Sequence, residues 1–102
     1  MLSPSIIAPE SKVNAAITDV LKQLYPDVQR IFFNFGPDWS GDPAVFFRII
    51  ISDEAARMRL RETMAKVVGM LESILNLETM GLHVYHNVRS ESEQAALGEE
   101  SW

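Results

Sequence analysis

Asp38, Ser40 and Asp42 surround Trp39 in the run G-P-D-W-S-G-D-P at positions 36–43. Three oxygen-bearing side chains this close in sequence can cap backbone N–H groups, hold a cation or meet a basic partner. Trp39 among them is a large amphipathic side chain of the kind enriched at binding hot spots. The plainer reading is a rigid double turn, with Asp38 or Asp42 accepting backbone N–H bonds and Trp39 folded back onto a sheet. A calcium loop needs more oxygen ligands and a bidentate glutamate downstream, and the run supplies neither. No nucleophile elbow, Gly-rich phosphate loop or H-E-x-x-H pattern occurs. Asp38 and Asp42 as a paired catalytic carboxylate would need a pocket that the sequence does not announce. The chain therefore reads as non-enzymatic, with no cofactor and no assigned metal ligands.

His83 and His86 are the two histidines. Three apart on a strand, they point to opposite faces and do not share one metal. Arg48 interrupts the apolar run A-V-F-F-R-I-I-I at 44–51. A charge in such a run is seldom buried unpaired. It pairs with an acid across the sheet or across a dimer interface, or it lays its stem on the sheet and its head in water. Arg30 belongs to the same less apolar set, and with Arg89 the three make a candidate anion site. Arg57, Arg59, Arg61 and Lys66 form a basic stretch that reads first as a solvated helix face.

These groups need elements to position them. Two apolar runs flank the polar segment, so positions 31–52 read as a β-hairpin with a connection of about eight residues. Ile31, Phe33 and Phe35 share one face of the first strand, and Val45, Phe47, Ile49 and Ile51 share one face of the second. The other face carries Phe32, Phe46, Arg48 and Ile50. Before the hairpin, Val13, Ala16, Ile17, Val20, Leu21 and Leu24 recur at helical spacing over 10–25, with Pro9 suited to the first turn and Pro26 as the stop. Positions 1–9 read as a lead in which Ile6 and Ile7 either tuck onto the core or form an added edge. After the hairpin, Asp53 is the expected N-cap of a helix running to position 75, with Leu60, Met64, Val67, Leu71 and Ile74 as its core stripe. Gly69 in its middle suggests close packing. A third strand covers 82–88, with Leu82, Val84, His86 and Val88 on one side. Positions 90–102 read as an acidic flexible tail with one helical turn at 93–97.

The fold class is α+β: a single αββαβ domain over 1–89, a three-stranded sheet with two helices packed on one face. This order resembles that of the cytoplasmic domain of cation diffusion facilitators and is related to the BolA and type II KH topologies. At 102 residues there is room for one domain, and with no cysteine there is no disulfide or thiol chemistry. A chain without cysteine suits the cytoplasm. The first residues carry no basic region of a secretory signal, and no apolar run approaches a membrane span. A net charge of -5 counts against a nucleic-acid partner, as does the missing GxxG loop of RNA-binding KH domains.

Two helices on one side leave the other side of the sheet uncovered. The N-terminal lead covers that side, or it is used in self-association. The expected function is thus a small protein-interaction and oligomerisation module, an accessory or regulatory subunit. It would be homodimeric through Phe32, Phe46, Arg48 and Ile50, with Asp38, Trp39, Ser40 and Asp42 contacting a further protein. One alternative is a small-ligand or divalent-metal-binding regulatory domain using Asp38, Asp42 and a histidine. The other is a KH-like RNA contact through Arg57, Arg59, Arg61 and Lys66.

Overall fold

The computed structural model describes the backbone of residues 4–98 and the side chains of residues 10–98. Helix α1 (Pro4–Leu24) leads into strands β1 (Val28–Pro37) and β2 (Pro43–Ile51). Helices α2 (Asp53–Met58) and α3 (Leu60–Leu75), a 3-10 turn (Leu77–Met80), strand β3 (His83–Ser90) and helix α4 (Glu91–Leu97) follow. β2 is the central strand, antiparallel to β1 and parallel to β3. Among the described residues the result is an α+β fold: a three-stranded mixed sheet with four helices. No helix among the described residues is long and apolar enough to cross a membrane.

One face of the sheet carries the core. Val28, Ile31, Val45, Phe47, Ile49 and Ile51 are buried in one cluster with Val13, Ala16, Ile17 and Val20 of α1 and Val67, Leu71 and Leu75 of α3. The alternation along the hairpin and the stripe on α1 place these residues as expected. Burying several such side chains, at roughly 1.5–3 kcal/mol each, is the main force holding helices to sheet.

The departures from the expected elements have identifiable causes. α1 begins at Pro4 and not at Pro9, so residues 4–9 are helix and not a separate lead. A proline at the first helical position gives up only an N–H that had no partner. The placing of Ile6 and Ile7 lies outside the described side chains. The hairpin loop is shorter than expected, because Gly36 pairs with Ala44 and Pro37 with Pro43, leaving only 38–42 to turn. Gly41 sits at φ +84°, where a side chain would be strained, and its N–H bonds to the Asp38 carbonyl at 2.9 Å.

The single helix expected over 53–75 is two. Ser52 is the N-cap, not Asp53: its hydroxyl accepts the Ala55 N–H at 3.0 Å. At Arg59 the backbone leaves helical geometry (φ -154°, ψ 40°), and α3 starts afresh. Within α3 the buried stripe keeps Val67 and Leu71 of the expected set, with Met64 packed beside them. Thr63, Val67, Leu71 and Leu75, spaced by four, face inward, while Leu60 and Ile74 are 44% and 47% exposed. Packing does not explain Gly69, since a Cβ there would meet nothing within 4 Å.

The C-terminal segment is more ordered in its described part than a tail. Ser90 and Glu93 form a reciprocal capping box at the start of α4, and Gln94 is buried. The first turn of α4 also bonds to α2. The Ser92 N–H and hydroxyl donate to the two oxygens of Asp53 at 3.0 and 2.5 Å. These donors hold the Asp53 carboxyl below its usual range.

Candidate functional site

The second face of the sheet is built by register. Asn34, Phe46 and Tyr85 form one row across the three strands, and Phe32, Arg48 and Asn87 the next. Arg30, Ile50 and Arg89 form the third. α4 covers only this last row. Ile50 is 2% exposed, and Arg89 donates to Gln94 Oε1 at 3.0 Å and to the Gly98 carbonyl at 3.3 Å. The expected self-association face must therefore be corrected at Ile50, which is buried and unavailable. Among the described residues, cover for this side comes from the C-terminal helix.

The other two rows stay open. Phe46 and Tyr85 stack with ring centroids 5.3 Å apart, and Trp39 leans on Tyr85 at 5.1 Å. Trp39 thus folds back towards the sheet and is still 83% exposed. Arg30 lies over the ring of Phe32 at 5.0 Å. Arg48 is half-buried in the middle of this surface, with no hydrogen-bond or ion-pair partner among the described residues. The three arginines do share a face, but Arg89 turns to α4, so among the described residues the three do not converge on one site.

The loop at 38–42 closes one end of this face. Asp38 Oδ1 accepts the N–H groups of Ser40 at 2.9 Å and Asp42 at 3.0 Å. The Tyr85 hydroxyl donates to Asp38 Oδ2 at 2.8 Å. That bond lowers the Asp38 pKa and raises the Tyr85 pKa, because it is made to the charged carboxylate and by the protonated phenol. His83, opposite Ala44 in the β2–β3 register, sits beside the loop with Nε2 3.6 Å from Asp42 Oδ2. Asp38, Asp42 and His83 thus come together, a grouping of loop and distant strand that depends on strand order.

His86 points the other way, as the alternation requires. It stacks on Phe47 at 5.6 Å, and its Nε2 is buried with no hydrogen-bond partner. Burial pushes its pKa down, against the opposing pull of Glu72. It borders a cavity of about 240 Å³ between α3 and β3, walled by Phe47, Leu71 and Leu75.

The basic stretch on the helices is not one surface. Arg59 Nε and Nη2 donate to the two carboxylate oxygens of Asp27 at 2.8 and 2.7 Å, and Glu54 lies 3.3 Å from Nη1. This bidentate pair holds the Asp27 carboxyl below its usual range and raises the already high guanidinium pKa. Arg59 was expected on a solvated face, and instead it ties the helix break to the base of the hairpin. That tie leaves a KH-like reading with Arg57, Arg61 and Lys66 alone.

No protein-family model matches this chain, and neither a curated protein nor a solved structure matches it.

Proposed function

We propose that this chain is a non-enzymatic interaction module that pairs with a second copy of itself through the open rows of its sheet. Arg48 carries the reading. A half-buried arginine beside Phe32 in the open middle row, without a hydrogen-bond or ion-pair partner among the described residues, fits a surface that is completed from outside. Phe32, Phe46, Tyr85 and Trp39 supply the apolar area around it.

Charge favours a second copy as the occupant. Asp38 and Asp42 stand at the loop end of the face, and Arg48 lies in the open row further from the loop. A two-fold rotation about an axis through the face sets each end against its opposite. The Trp39 loop is then part of the pairing surface and not a separate contact for a further protein.

Sedimentation over micromolar to millimolar concentration tests this. A dimer is expected that weakens by tenfold or more in Arg48→Glu and Phe46→Ala, roughly the 1.4 kcal/mol expected of an anchor residue. A monomer at every concentration, or a dimer indifferent to both variants, overturns the proposal.

A further inference from the structure

We infer that Asp38, Asp42 and His83 form a binding site for a divalent transition-metal ion, with zinc as the type. Each offers one ligand atom, and these atoms all lie within 4.8 Å of one another. The set is not merely a patch of acids, since it pairs an imidazole nitrogen from β3 with two carboxylates of the hairpin loop. The distance between His83 Nε2 and Asp42 Oδ2 is 3.6 Å, too long for a hydrogen bond. It suits two ligands of one ion: bonds of about 2.0–2.2 Å to a tetrahedral metal set its ligands roughly 3.3–3.6 Å apart.

The donor types choose the metal class. Calcium and magnesium take oxygen ligands, whereas imidazole with carboxylate suits zinc and its neighbours in the first transition row. The surroundings already orient the ligands. Tyr85 donates to one oxygen of Asp38, and the N–H groups of Ser40 and Asp42 donate to the other. Carboxylates that bind metals are commonly held by such outer hydrogen bonds. Three protein ligands, with Asp42 and His83 exposed and Asp38 half-buried, leave the remaining coordination to water, so binding is reversible and not a condition of folding.

The site lies at the rim of the open sheet face, but its existence does not depend on self-association. Zinc titration of the full chain at neutral pH, followed by calorimetry and by Trp39 fluorescence, tests it. One zinc ion per chain is expected, with a fluorescence change and little response to calcium. His83→Ala and Asp42→Asn should each weaken binding by at least about tenfold. Both side chains are exposed, so circular dichroism should show both variants folded as the parent chain is. His86→Gln should bind as the parent does. Absence of saturable zinc binding overturns the inference, and so does binding of unchanged strength in His83→Ala. A monomer that binds zinc would refute only the pairing proposal, and a dimer that does not would refute only this one.

Discussion

The two faces of the sheet are made by alternate residues of the same strands, and they meet opposite fates. On one, Val45, Phe47, Ile49 and Ile51 of β2 are sealed under α1 and α3. On the other, Phe46 and Arg48 sit between them in sequence and stay half-buried. Ile50 is sealed as well, only because α4 reaches it. Apolar character alone therefore does not decide which side becomes core. The helices before and after the hairpin decide it, and what they leave uncovered is available for recognition.

The sharpest test of that contrast is a pair of substitutions at neighbouring positions. Phe47→Ala is expected to cost roughly 3–5 kcal/mol in urea unfolding of the dilute protein. Phe46→Ala should cost far less in the same measurement and act mainly on association. Equal losses would mean that both faces are core.

A second test concerns the outer side of α3. Gly69→Ala fills open space in an exposed helix interior, so a gain of about 1 kcal/mol is expected by the same measurement. A loss there would mean that this helix face has a contact of its own.

The smallest effect is a pH dependence that belongs to the core face. His86 has a folded pKa below its unfolded value, so its neutral form stabilises the fold above about pH 6.5. That contribution is lost as pH falls towards the folded pKa. Asp27, also lowered, adds a second loss further down, in and below the ordinary carboxylate range. Thermal melts from pH 7.5 downwards should show both falls, and His86→Phe should remove the upper one alone. An unchanged upper fall in that variant would place its origin elsewhere.

Much of the core was legible because it follows period. Ile31, Phe33 and Phe35 alternate as strands require, and Val13, Ala16, Ile17 and Val20 recur as a helix requires. The break at Arg59 was not legible, since no glycine or proline marks it. Its observed partner is Asp27, 32 residues earlier, and no local pattern carries an ion pair across that span. The stripe of α3 was legible at Met64, Val67 and Leu71, while Leu60 and Ile74 at its ends stay exposed. The helical turn expected at 93–97 lies within α4, whose start two residues earlier is set by the capping box of Ser90 and Glu93. Asp38 and Asp42 stood out by type. Their meeting with His83 was hidden, because it depends on β3 lying parallel beside β2.

The mixed sheet also ranks its own strands by the chain entropy each must overcome. Pro37 meets Pro43 across a gap of six positions, while Ala44 meets His83 across 39. Loop-closure entropy rises with the logarithm of that gap, a difference of about 1.7 kcal/mol against the parallel pair. The hairpin is the local half of the sheet, and β3 joins it at the end of a long detour. The helices along that detour shorten the distance the chain must search, so they serve as tether as well as roof.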